Sequence, residues 1–238
     1  MKKLIIILIM ISVAALWSED IFKAKVYRLD SNKQELLFDH YNTVQQEGEK
    51  TILTHFYSRP DSSIATIDEV ILENGEFKSS KSQFLEVDEI GSVIRNSDKM
   101  TMRFEKDGKV KEKELNYPTD LLVGPMFNDH IIENWEALNS DEKIYFKLPA
   151  PNIQKIATFT FQEVNNSGYE KPDHIVFKLN AASIFLKLVV RPSYFVYEVA
   201  TKRLMEIHGT TILRTKQNGK WQNSTDVNMY YEYEGQNE

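Results

Sequence analysis

Five histidines, His40, His55, His130, His174 and His208, are the side chains best suited to move protons or bind metal in this chain. No two fall within the three-to-five-residue spacing that puts ligands on one helical turn, and nothing suggests a metal site built from distant strands. The Ser nucleophile elbow, the phosphate loop, the dinucleotide glycine motif and the zinc-protease helix are all absent from the sequence. His208, beside Gly209 on a strand expected over Met205–Leu213, is the least ordinary of the five. A hydrogen-bonded structural histidine and a general base are its two readings. The carboxylate pairs Asp68-Glu69 and Asp88-Glu89 could suggest acid and base dyads. Neighbours in a strand point to opposite faces, so these pairs do not converge and are expected to be solvated edges. The expectation is therefore no catalytic residue, no metal and no cofactor: the protein is not an enzyme.

The rest of the composition agrees. The chain has 238 residues, with 29 Lys plus Arg against 35 Asp plus Glu, a net charge of −6, and no cysteine. That excludes a disulfide-stapled miniprotein, a Cys-ligated metal site and a thiol enzyme. With 42% hydrophobic residues, 13 Phe, 11 Tyr and 3 Trp, it has the means to build a core.

Its first segment has the pattern of a secretory signal peptide. Lys2 and Lys3 precede an apolar run from Leu4 to Ile11, continued by Val13 to Leu16, and the first acidic residues are Glu19 and Asp20. Small residues place cleavage after Ala15 or Ser18. The apolar stretch is shorter than the ~20 residues of a spanning helix, and no cysteine is present for acylation. Residues 1–18 are thus expected to be removed, leaving 19–238 with 27 basic and 35 acidic residues, a net charge of −8 and no stable membrane anchor. Such an acidic chain is not expected to bind nucleic acid. Its expected location is periplasmic or secreted.

What must position any site is β structure. Met100, Met102 and Phe104 alternate with charged or polar neighbours, and so do Ile144, Phe146 and Leu148, then Ala157, Phe159 and Phe161, then Ile175, Phe177 and Leu179. Asn74-Gly75, Asp107-Gly108 and Asn218-Gly219 mark tight hairpins, and Asn165 to Gly168 a longer loop. Roughly eleven to thirteen strands at hairpin spacing predict an all-β single domain with one α-helix, an antiparallel meander forming a strongly curved sheet or barrel. The helix is expected over 125–138, where Phe127, Ile131, Trp135 and Leu138 make one apolar stripe behind Pro125. That stripe either packs on the sheet or serves as a lid. The runs Ile184–Val190 and Tyr194–Val199 lack a clearly polar face, as expected of covered strands. The mixed-charge hairpin Glu105–Glu114 reads as a protected edge, and Val227, Met229, Tyr231 and Tyr233 as the face that closes the barrel.

The leader, the Val123-Gly124-Pro125-Met126 approach to the helix, and the segment Val189–Leu213 with Arg191-Pro192, Tyr194-Phe195, Thr201 to Leu204 and Gly209 resemble a set of uncharacterised bacterial envelope proteins. The architecture is similar, more loosely, to the apolar half-barrels of lipoprotein carriers and lipocalins. Fold likeness does not carry function. Together these features predict an exported, non-enzymatic binding or carrier protein for an apolar or amphipathic envelope ligand such as a lipid. Phe127, Ile131 and Trp135 would then form the lid side, and Phe185, Tyr194, Tyr197 and His208 the lining. Tyr194 and Tyr197 are an odd number of residues apart, so only one of them can face the ligand. The alternative is a structural protein of the cell envelope that acts through protein partners, recognisable by an interior without a cavity of about 300 Å³.

Overall fold

A computed structural model describes residues 22–184 and 190–233. The strands are β1 (Phe22–Arg28), β2 (Leu36–Glu47), β3 (Lys50–Ser58), β4 (Ile64–Glu73), β5 (Glu76–Phe84), β6 (Glu89–Asn96), β7 (Lys99–Lys106) and β8 (Lys109–Asn116). After two short helices, α1 (Phe127–Glu133) and α2 (Trp135–Asn139), come β9 (Ile144–Ala150), β10 (Lys155–Glu163), β11 (His174–Ala181), β12 (Ser193–Glu198) and β13 (Arg203–Thr211). The small pair β14 (Thr215–Gln217) and β15 (Lys220–Gln222) precedes the last strand, β16 (Thr225–Tyr233). No helix among the described residues is long and apolar enough to cross a membrane. The expected leader and Phe185 lie outside the described residues.

Fourteen strands form one antiparallel sheet in the order β8-β7-β6-β5-β4-β3-β2-β1-β16-β13-β12-β11-β10-β9. Two meanders, β1 to β8 and β9 to β13, are thus zipped together by β16. The three expected tight hairpins are present, with both turn residues at positive φ, as in Asn74 and Gly75 at 54° and 77°. The ladder is open, because β8 and β9 stand at its two ends. This corrects the role given to Val227, Met229, Tyr231 and Tyr233. They are buried, but β16 joins β1 to β13 in the middle of the sheet and closes no barrel.

One face of the sheet, the inner face, carries the core. On β9 to β12 the aromatic rings of Phe146, Phe161, Phe177 and Phe195 meet the helical segment, whose Ile131 and Leu138 are fully buried and Trp135 nearly so. The expected single helix is broken at Asn134, which takes non-helical angles (φ −102°, ψ 16°). Its side-chain amide donates to the His130 carbonyl at 2.8 Å and so competes with the backbone ladder. Further along the same face, Leu53, Val70, Val93, Met100 and Met102 pack beneath Leu121 and Val123.

Only one member of each carboxylate pair faces solvent: Glu69 points outward and Asp88 is exposed, while Asp68 and Glu89 point to the inner face and are buried. Strand alternation assigns the two faces correctly, but it does not show what crosses them: Arg214, distant in sequence, lies across Glu89 at 2.8 Å.

Candidate functional site

On β13, Glu206 and His208 are two residues apart and share the outer face, opposite the helices. Register places Tyr194 of β12 and Asn228 of β16 beside His208, and Tyr230 beside Glu206. The loop between β10 and β11 folds down over them. It is shaped by its own turn: Glu170 accepts hydrogen bonds from the Ser167 hydroxyl (2.8 Å) and the Gly168 backbone N–H (2.8 Å). The backbone N–H groups of Glu170 itself and Ser167 hold that carboxyl down to about 2. The turn delivers Tyr169 flat onto His208, with ring centroids 4.0 Å apart and planes at 4°, and Lys171 onto Glu206.

The hydrogen bonds here fix the protons. The Asn228 amide nitrogen donates to the Leu29 carbonyl at 2.9 Å, so its oxygen is the atom that faces His208 Nδ1 at 2.6 Å. Nδ1 therefore carries hydrogen. His208 Nε2 lies 2.8 Å from Glu206 Oε2. Burial pushes the Glu206 carboxyl up, but the hydrogen bonds from His208 and Lys171 and their positive charges outweigh it and hold the group at about 2. Both nitrogens of His208 and both oxygens of Glu206 are engaged within the protein. What the cluster does is latch the loop and the turn before β2 onto β13 and β16.

Beside the latch is a cleft of about 300 Å³, walled by Lys33, Tyr169, Lys171 and Tyr230 over a floor of Glu206, His208 and Asn228. Lys33 Nζ sits 3.7 Å above the Tyr230 ring, a cation–π contact that occupies the aromatic wall.

The latch makes a testable statement about acid stability. Because the Glu206 carboxyl is depressed from 4.5 to about 2, its contribution is complete above pH 4.5 and is lost as the pH falls towards 2. Lys171 is half exposed, which screens the pair, so roughly 2 kcal/mol is expected rather than the full value of the shift. Glu206→Gln should lower stability at pH 7 by about that amount and flatten the acid limb of a urea-denaturation series. A variant with an unchanged acid limb would show that the latch contributes nothing.

The predicted lining residues do not converge, because the sheet separates them. Tyr194 and His208 are on the outer face, with Tyr194 tilted against Tyr169 at 5.2 Å. Tyr197 is fully buried on the inner face, where its hydroxyl donates to Asn128 at 3.2 Å, and burial pushes that hydroxyl well up. Phe127, Ile131 and Trp135 share the inner face with it: Phe127 meets Phe146, Phe161 and Phe195, and Trp135 meets Phe177 and Tyr197. Tyr194 and Tyr197 thus take opposite faces, as their odd spacing requires: Tyr194 goes with His208, and Tyr197 with Phe127, Ile131 and Trp135. The cavity between the helical segment and Leu72 measures only about 140 Å³. Glu206, Asn228 and Tyr230 were legible in part, since Glu206 stands two residues before His208 on the same strand. Lys33, Tyr169 and Lys171 come from turns whose placement no local pattern announces.

A second polar cluster lies on the inner face. His40, buried and stacked on Tyr57 at 4.1 Å, turns Nε2 towards His55 Nδ1 at 3.4 Å, and Asp68 is the cross-strand neighbour of His55. Burial pushes the His40 imidazole well down and the Asp68 carboxyl up, so both favour their neutral forms. No group of three metal-ligating side chains occurs among the described residues.

No protein-family model, no curated protein and no solved structure matches this chain. Its function has to be argued from its own geometry.

Proposed function

We propose that the chain is an exported, non-enzymatic protein of the cell envelope that acts through protein partners. The observation that carries this reading is the filled inner face. The apolar stripe of the helices is used up on Phe146, Phe161, Phe177 and Tyr197, and the nearby hollow of about 140 Å³ lies off that stripe, against Leu72, Leu121, Met126 and His130. Ligand pockets begin at about 300 Å³ and are mostly apolar. The cleft of that size lies on the other face, and its floor groups are already hydrogen-bonded to one another. The basic and apolar leader supports export. A curled sheet is part of the reading. It is supported by the turn after β9, whose Pro151 lies 3.6 Å from the Cβ position of Gly91 on β6, near the far end of the strand order.

The test is to purify the mature chain from the envelope fraction under mild conditions, compare native with denatured mass, and analyse an organic extract for lipid. The expected result is no stoichiometric small-molecule adduct, with in-cell cross-linking moving the chain into a discrete higher-mass complex. A one-to-one lipid adduct that is lost on denaturation would overturn the proposal. It would restore the carrier reading, with Phe127, Ile131 and Trp135 as the lid.

A further inference from the structure

The sheet treats its two ends differently. At β9 the edge is clasped: Leu122 N–H donates to the Lys147 carbonyl at 2.9 Å and Lys147 N–H donates to the Asp120 carbonyl at 2.8 Å. At β8 it is bare. That strand pairs with β7 along its whole length, and among the described residues nothing pairs with its other side. Residues Lys109 to Glu114 are all exposed. An eight-residue edge without proline offers a row of unpaired backbone donors and acceptors, the template for adding a strand.

The charges on this edge are sorted by face. Lys109, Lys111 and Lys113 lie on the inner face, in register with Lys106, Phe104 and Met102, while Glu112 and Glu114 lie on the outer face. Among the described residues none of these five charges is in an ion pair, whereas on the adjacent strand Lys106 is held by Glu89 and Arg103 by Glu105. Deterring aggregation needs charge on the edge, but it does not need the signs sorted by face. Alternate residues of a strand are about 6.7 Å apart, so the three lysines form a comb whose complement is another strand with carboxylates at the same alternate spacing. A second copy does not supply it. Antiparallel pairing of β8 with itself about a two-fold axis normal to the sheet puts lysine opposite lysine, which is unfavourable.

We propose that the free edge of β8 is a docking edge for an extended acidic segment of a partner protein, which adds to the sheet as a further strand with its carboxylates facing Lys109, Lys111 and Lys113. This rests on the reading of the chain as a partner-binding protein, and it names the partner's chemistry.

The experiment uses the full mature chain and two fluorescein-labelled ten-residue peptides, one alternating Glu and Thr, the other alternating Lys and Thr. The Glu-Thr peptide is expected to bind about tenfold more tightly or better, since three cross-strand pairs change sign between the two. It should also slow hydrogen exchange of the β8 amides, which loose ion pairing would not. Lys111→Glu/Lys113→Glu alters exposed side chains and should leave the circular dichroism spectrum unchanged while inverting the peptide preference. Equal binding of the two peptides, no binding of either, an unchanged preference in the variant, or binding without β8 protection would each overturn the proposal. If peptide binding fails while the cross-linked envelope complex persists, the docking edge is wrong and the partner-binding reading stands. A lipid adduct with no such complex would overturn the reading itself.

Discussion

Gly209→Ala is expected to destabilise the protein by about 4 kcal/mol, lowering the melting temperature by about 10 °C in a chain of this size or preventing soluble expression. Gly209 follows His208 on β13 and takes φ +129°, a conformation that L side chains rarely adopt. A Cβ there would stand 2.5 Å from the Pro192 carbonyl oxygen and 2.8 Å from Ser193 Cα. Both are backbone atoms at the start of the neighbouring strand β12, so no side chain can swing away to relieve these two contacts. Left-handed strain of about 1–2 kcal/mol adds to an overpacking cost of about 1–3 kcal/mol. The damage should also be local. Displacing Pro192–Ser193 from β13 moves His208, so hydrogen exchange should rise in the loop that carries Tyr169 and Lys171 before the rest of the sheet opens. A melting temperature within about 2 °C of the parent would sink this account of Gly209.

Gly209 marks where local reading of the sequence succeeds and where it stops. The alternations at Met100 to Phe104 and Ile144 to Leu148 became strands because each has one covered and one wetter face, which a period of two records directly; Ile175 to Leu179 is a strand as well, although Val176 on its other face is also buried. Among the described residues sixteen strands form, more than expected. β14 and β15 are three residues each, and Ser79, Ser80 and Ser82 leave β5 with little apolar alternation. The helix stripe was legible as spacing, but its break at Asn134, where the side-chain amide shares the His130 carbonyl with the backbone N–H, is a local detail that spacing does not encode. At the site, alternation alone separates Tyr194 from Tyr197 and puts Glu206 beside His208. The partners that give those residues their meaning come from register between β13 and β16 and from the fold of the loop after β10. Those are tertiary facts, set by which strands meet.

The chemistry of the two faces bears on function in the same way. An apolar carrier needs an inner face that can be vacated, yet here Phe127, Ile131 and Trp135 are packed into a continuous aromatic cluster. Vacating it would expose several rings, each worth roughly 1.5–3 kcal/mol of burial, unless a ligand replaced them at once. The outer-face latch is the opposite case: its polar groups satisfy one another and fix a loop.

Arg214→Met should cost about 3–5 kcal/mol, because it strands a buried carboxylate. Arg214 and Glu89 have side chains only 9% and 4% exposed and meet through Nε at 3.0 Å and Nη2 at 2.8 Å. The guanidinium lies 4.3 Å over the Phe84 ring, and its Nη1 donates to the carbonyls of Ile212 (2.8 Å) and Asn223. One side chain thereby fastens the β14–β15 excursion to β5 and β6. Burial pushes the Glu89 carboxyl up, but hydrogen bonds from Lys106 and Arg214 and their charges outweigh it and hold it below its ordinary value. Its stabilising contribution is therefore present above the ordinary carboxylate range and is lost as the pH falls through it. In Arg214→Met the remaining partner is Lys106, 48% exposed and screened by water, so Glu89 will take up a proton more readily and the penalty should shrink as the pH is lowered towards 4. Adding Glu89→Met should restore part of the loss, because no carboxylate is then left without its partner. Recovery should be incomplete, since the Ile212 and Asn223 carbonyls still lack their donor. A double-mutant cycle from urea denaturation at pH 7 should return a coupling of about 2 kcal/mol or more. Strict additivity of the two substitutions would mean that the pair is only a neighbour relation. The excursion would then be held by Leu213 packing and by the hydrogen bonds of Thr225 to Thr215 and Leu213 and of Arg59 to the Arg214 carbonyl.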